Sequence, residues 1–362
     1  MDESRFFIYP FYSLKAHVST ESAFDAPLPG CYNLFLIAEN SMQKKLRIAS
    51  FIVFILFLLL IVPIMRYHKE PNLQPLPSRY IKGCFVRTES RDDIKLIGNA
   101  ARELSLDFVA LTTEQEPDPT AFWSDKVLIF SLPDKTPGFE ILNLKKQILN
   151  TSAPFRIIRA LRYLFNPRFS LLSTLEPPAQ QLAQWFQSHE HARNPGIYAL
   201  GSNGGMPLPG NPDSLPSYRA MMEIFTVYIR IDRELVRDAE LSASMLTNAM
   251  KAGHFFNAIE AIAPANGFDA RFQAEDQSAF VQMGDRHTAY TGRLIVDLPF
   301  TFPTRIELLR DGKVTKNESS RLRQQISFAV NQPGVYILII HLPGHRFSSL
   351  PWIITNPFYL EG

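Results

Sequence analysis

Apolar residues recur at spacings of three and four over residues 93–104, where Ile94, Leu96, Ile97, Ala100, Ala101 and Leu104 share one side of a helix. A short turn leads into residues 106–112, an apolar run that predicts a buried strand of the parallel type. The run stops abruptly at Thr112, Thr113, Glu114 and Gln115. Polar residues just past the last buried position of such a strand point into the crevice where ligands sit. Shorter buried runs predict strands at 80–87, 127–131, 140–144 and 197–200, the last leading into the glycine-rich loop 201–205. Helical spacing appears at 154–165, 178–189, 218–231 and 238–252, with Gly253 closing the last.

Beyond Phe255 the texture changes. Residues 292–298 alternate, 305–309, 326–330 and 334–341 are short apolar runs, and Asp311-Gly312 between two of them is a hairpin signal. The pattern predicts an α/β domain over 79–254 followed by a small β-sandwich over 255–362.

Near the amino terminus, Lys44, Lys45 and Arg47 precede eighteen uncharged residues, 48–65. That is long enough to cross a hydrocarbon core of about 30 Å, and no small-residue cleavage site follows. The segment reads as an uncleaved transmembrane signal anchor, with Met42 as the start and residues 1–41 an over-extended reading frame or a cytoplasmic tail. The basic cluster before the span sets the amino terminus inside and the bulk of the chain outside the cytoplasm, at the periplasm or cell surface. Three prolines in residues 70–78 make the linker 66–78 an extended spacer.

At 362 residues, 46% hydrophobic and 20% charged, the chain is of globular composition. A net charge of +2 without a long basic run excludes nucleic acid as a main partner. Its two cysteines, Cys31 and Cys84, flank the apolar segment, and no Cys-x-x-Cys motif exists.

The run SLDFVALT after a helix resembles the PHP superfamily (polymerase and histidinol phosphatase domain), metal-dependent phosphoesterases in which this strand usually ends Thr-Asp-His-Asn. The resemblance implies a distorted (βα) barrel, with two or three divalent metals held at the ends of several strands. Here Thr112, Thr113, Glu114 and Gln115 occupy the four positions. The His-x-His expected of the first strand becomes Val86 and Thr88 in one register, or Phe85 and Arg87 in the other. A later Asp-x-His corresponds to Asn203 and Gly205. Amides, glycine and apolar side chains do not replace carboxylate and imidazole as metal ligands. The order of short motifs from Gly253-His254 through Met283-Gly284-Asp285 to Pro351-Trp352 is similar to the carboxyl-terminal module of a PHP subgroup, so the likeness extends over residues 79–362.

The resemblance therefore implies a degenerate, metal-free pseudoenzyme without cofactor, binding an unknown ligand or protein partner in a vestigial pocket of Arg87, Thr113, Glu114 and Asn203. Arg87 is expected to pair with Glu114 there, a guanidinium standing where the metal's charge would be. The alternatives are a phosphoesterase with a rebuilt site using Glu114, His189, His191 and Asp92, with a divalent metal, or a structural tethered scaffold. Against the rebuilt site, His189 and His191 lie at the polar end of a helix, and Asp92 and Asp93 suit a helix amino terminus.

Overall fold

The computed structural model describes residues 44–55, 80–88, 93–113, 121–132, 138–150, 153–189, 194–201, 206–207, 214–275, 280–320 and 324–362, in two compact units, Met1–Leu59 and Leu60–Gly362. In the first unit residues 44–55 form a helix, α1, whose side chains, Leu46, Ile48, Phe51 and Val53 among them, are exposed. Among the described residues no helix is long and apolar enough to cross a membrane. This corrects the expected transmembrane signal anchor over 48–65, and with it the single-pass, extracytoplasmic location deduced from that span. The described residues of α1 rise only about 18 Å, against a core of about 30 Å. Residues 1–41, 56–65 and the linker 66–78 lie outside the described residues.

The second unit is organised around β1 (Tyr80–Thr88). Its neighbour β2 (Phe108–Thr113) runs parallel to it in the register Gly83↔Phe108 to Thr88↔Thr113. Between them α2 (Asp93–Glu103) turns Ile97, Ala100 and Ala101 into the core, as its apolar spacing requires. β3 (Ala121–Ser124) and β4 (Val127–Ser131) form a hairpin, with β4 parallel to β2. On the far side come β5 (Phe139–Asn143), the helices α3 (Leu144–Leu149), α4 (Ala153–Phe165), α5 (Pro167–Leu172) and α6 (Ala179–His189), and then β6 (Gly196–Leu200). β6 is parallel to both β1 and β5. Five parallel strands thus lie side by side in the order β4-β2-β1-β6-β5.

After a two-residue ribbon, β7 (Met206–Pro207) with β8 (Ser214–Leu215), the parallel pattern ends. The helical spacing over 218–231 is realised only in α7 (Tyr218–Met222); residues Phe225–Arg230 form strand β9. Phe225, Val227, Tyr228 and Ile229 are β-branched or aromatic, and pairing on both sides decides for strand. β9 runs antiparallel to β1 (Tyr80↔Arg230) and to β10 (Phe255–Ile259). Between them α8 (Ala239–Ala252) is capped by the Asp238 carboxylate, which accepts from Leu241 N at 3.0 Å, and closed by Gly253 at φ 81°.

The expected PHP-type (βα) barrel followed by a separate β-sandwich is therefore corrected. A (βα) barrel closes through parallel strands alone, whereas the antiparallel β9 lies against β1 and carries the sheet onward. From β10 the same sheet continues through β19 (Ile353–Thr355), β18 (Gly334–His341), β20 (Phe358–Leu360) and β13 (Arg286–His287), with the hairpin β15 (Thr304–Arg310) and β16 (Lys313–Ser320) on β18. It has fourteen strands. A second sheet of four strands holds β12 (Phe280–Val281), β11 (Asp269–Ala274), β14 (Gly292–Asp297) and β17 (Gln325–Val330). Its alternating inner residues Phe272, Leu294, Val296 and Phe328 join the same core as Ile306, Leu338 and Trp352 of the large sheet, so the β-rich part and the α/β part share one apolar interior.

Candidate functional site

The two faces of the parallel strands define what their carboxyl ends can present. Cys84, Val86, Val109, Leu111 and Leu200 point into the larger core, whereas Phe85, Phe108, Ala110 and Ala199 point into a second core on the other face. Alternation then places Thr88 on the Val86 side and Arg87 on the Phe85 side. Among the described residues neither face ends in a pair of imidazoles or carboxylates. Thr88 and Thr112 are buried, and Arg87 is half-buried. A guanidinium is a cation with donors only, so these strand ends do not fit the divalent metals that the PHP resemblance implies. Among the described residues no group of three or more histidine, cysteine or carboxylate side chains stands close enough to hold a metal ion.

Arg87 instead lines an open cleft of about 650 Å³ whose other walls come from β5, α3, α6 and Asn194. The centre of this cleft is a small hydrogen-bonded unit. Asn143 ends β5 and caps α3, its Oδ1 accepting from Lys146 N at 3.0 Å. Its Nδ2 donates to Glu140 Oε2 at 3.0 Å, and Lys146 Nζ donates to the same oxygen at 2.7 Å. Asn143 is buried and the Glu140 side chain is 14% exposed, while Lys146 is open to solvent. One carboxylate oxygen is thus held from two sides.

The remaining polar groups are mostly carboxamides. Gln147 and Asn150 come from α3 and its end, Gln181 and Gln184 from α6. Gln147 is fixed by Glu176 N, which donates to its Oε1 at 3.0 Å. The α6 wall is anchored by Trp185, fully buried, whose Nε1 donates to Asn194 O at 2.8 Å. Gly201, just after β6, lies so close to Lys145 that any Cβ there would collide with that side chain. This close approach keeps the start of α3 against the parallel arm.

Arg87 is the one member of the expected pocket whose side chain is described, and it reaches the cleft. Thr113 ends β2 as the backbone partner of Thr88. Glu114, Asn203, Asp92 and His191 lie outside the described residues, as does the side chain of His189 at the end of α6, so the expected Arg87–Glu114 pair falls there too. Asp93 begins α2 and accepts from Tyr218 OH at 2.8 Å, a structural tie between α2 and α7. Burial pushes the Cys84 thiol far up, against the opposing charge of Lys82, which leaves it no thiolate character at neutral pH.

The site residues that sequence reasoning passed over are Glu140, Asn143, Lys146, Gln147, Gln181 and Gln184. The signal for them was compositional: Asn143, Gln147 and Asn150 in one short stretch, Gln180, Gln181, Gln184 and Gln187 in another. A scan against protein families, a search of curated proteins and a search of solved structures each find no match for the chain.

Proposed function

We propose that this chain is a ligand-binding protein, a metal-free relative of the PHP phosphoesterases, that takes a polar ligand in the cleft between Arg87, β5 and α6. One observation carries the reading: the cleft beside the carboxyl end of β1 is lined by a guanidinium, one pinned carboxylate and a set of carboxamides. Such groups form directional hydrogen bonds with a polar ligand. Arg87, Asn143 and Lys146 lie at the carboxyl ends of β1 and β5, where open sheets bind ligands, and the cleft extends from there along β5 to Gly138 and Asn194 at the amino ends. The donor chemistry supports the metal-free part, because Val86, Thr88, Phe85 and Arg87 offer no ligand pair in either register.

The test joins two measurements on the full-length chain. After incubation with manganese, zinc or ferrous iron and gel filtration, bound metal is expected to be far below one ion per chain, with no hydrolysis of bis-p-nitrophenyl phosphate. In parallel, thermal shift with panels of oligosaccharides and short peptides is expected to find a stabilising ligand whose effect is lost in Arg87→Ala and Gln184→Ala. Stoichiometric metal with turnover would establish a rebuilt phosphoesterase site and overturn the proposal.

A further inference from the structure

α4 turns toward solvent a side that its residue types would bury. At about 100° of rotation per residue, Ile158, Leu161, Leu164 and Phe165 fall within one arc of roughly 120° on the helix. All four are exposed, Leu164 by 62% and Phe165 by 58%. The opposite side is anchored by Tyr163, which is buried and whose phenolic oxygen accepts from Ser217 N at 3.0 Å. Single exposed leucines are ordinary on a protein surface, but four large apolar side chains on one stripe form a patch of the kind that marks an interaction site.

Charge along this stretch is one-sided. Residues 141–175 hold six basic side chains, Lys145, Lys146, Arg156, Arg159, Arg162 and Arg168, and no acid, in a chain whose whole surplus is +2. Folding sets Glu140 against Lys146 at 2.7 Å and Glu223 against Arg168 at 3.3 Å, and brings the charge of Glu176 to bear on Arg159. Six cations against these three anions keep the stretch basic. The helical rotation places Arg162 and Arg159 next to each other along one border of the apolar stripe.

An apolar stripe with a basic border matches an anionic lipid interface, where acyl chains receive the first and headgroup phosphates attract the second. A second copy of this chain would set like charges against each other, and a nucleic acid would leave the aliphatic stripe in water. We propose that α4 seats the chain on an anionic membrane surface, with Ile158, Leu161, Leu164 and Phe165 in the boundary between headgroups and acyl chains. The 13 residues of α4 rise about 20 Å, short of a core of about 30 Å, so the helix lies in the interface and does not cross it. This role is separate from the ligand reading of the cleft.

The test places a nitrobenzoxadiazole label on the full-length chain at Leu164→Cys in a Cys31→Ser background; Cys84 is buried and does not compete. Vesicles of phosphatidylcholine and phosphatidylglycerol in equal parts are expected to raise the emission severalfold and shift it to the blue. High salt should abolish the rise, and pure phosphatidylcholine should give little. In flotation with the mixed vesicles, Leu161→Asp with Phe165→Asp is expected to lower partitioning by about tenfold or more, with an unchanged melting temperature because both side chains are exposed. The apolar run 48–65 is common to parent and variant, so the difference reports α4. An unmoved label, equal emission with neutral and anionic vesicles, or equal partitioning of parent and double variant would overturn the proposal. A label that responds to protein concentration without lipid would also overturn it and assign the stripe to a second copy of the chain.

Discussion

Asn257 holds Gly196 across a fork in the sheet: its Nδ2 donates to the Gly196 carbonyl at 2.9 Å, and its Oδ1 accepts from Tyr198 N at 2.9 Å. β1 pairs with β9 through Tyr80–Gly83 and with β6 through Phe85 and Val86 on the same edge, so β6 and β9 diverge there. Backbone groups of β6 facing the fork have no ladder partner. Asn257 from β10 and Asn356, whose Oδ1 accepts from Gly196 N at 2.8 Å, supply one. Both side chains are fully buried.

Replacing Asn257 by leucine, equal in heavy-atom count and branching, strands the Tyr198 N–H and leaves the Gly196 carbonyl only the longer contact from Asn356 Nδ2 at 3.5 Å. At about 1–3 kcal/mol for an orphaned group, with a smaller loss at the carbonyl, N257L is expected to lose about 1–4 kcal/mol in denaturant unfolding. A loss under about 0.5 kcal/mol, the range of surface substitutions, would show that the fork is held otherwise.

Gly284 adopts φ +86°, and a Cβ on it would run into the Ala252 carbonyl at the end of α8. Gly253, at φ 81°, packs against it. Gly284→Ala must therefore both adopt a disfavoured backbone and displace a helix end. A destabilisation of several kcal/mol is expected, about the upper part of the range for point substitutions. Asp285→Asn next door should cost less than about 1 kcal/mol, since its hydrogen bond with the His254 ring at 2.8 Å is partly exposed. Comparable melting temperatures for the two variants would contradict the packing argument.

His341 is buried, its Nδ1 beside Leu350 O at 3.1 Å. Burial, helped by the charge of Arg305 and opposed by Glu307, holds its pKa below the ordinary 6.5. Burial lowers His345 as well. In the pH window below 6.5 the unfolded chain binds protons that the folded chain refuses. The stability they contribute is complete above that value and is lost as pH falls toward the depressed folded pKa values. A melting profile should decline on acidification through this window, and the decline should be shallower in H341N with His345→Gln. An identical slope in parent and double variant would refute the assignment.

Within the cleft, Asn143→Asp keeps an acceptor for Lys146 N but sets a carboxylate against Glu140 Oε2, where a donor stood. The variant is expected to lose about 1–3 kcal/mol at neutral pH through the lost hydrogen bond and like-charge contact. The deficit should shrink near pH 4, where protonation of the introduced carboxyl restores a donor toward Glu140 Oε2. Equal deficits at both pH values would place Glu140 away from Asn143 in solution.

The elements that local chemistry specifies were legible in the residues alone. α2 follows from its apolar spacing, β2 from its run, α8 from Asp238 and Gly253 at its two ends, and the turn after β15 from Asp311-Gly312, although the strand it leads into is the polar β16 and the run 326–330 pairs with β14 instead. Each depends on neighbours within a few positions, whose propensities, caps and turn geometry act whatever the rest of the chain does. Other features required distant partners. Residues 225–230 have helical spacing and strand-forming side chains together, and the ladders with β1 and β10 decide between them. Ring closure failed because β9 enters antiparallel, an outcome no local pattern encodes. The cleft likewise joins Arg87, β5 and α6, which meet only because β6 returns beside β1 and is tied there by Asn257 from 61 residues away. Local physics wrote the strands and helices; long-range pairing and the satisfaction of buried backbone groups decided how they were assembled.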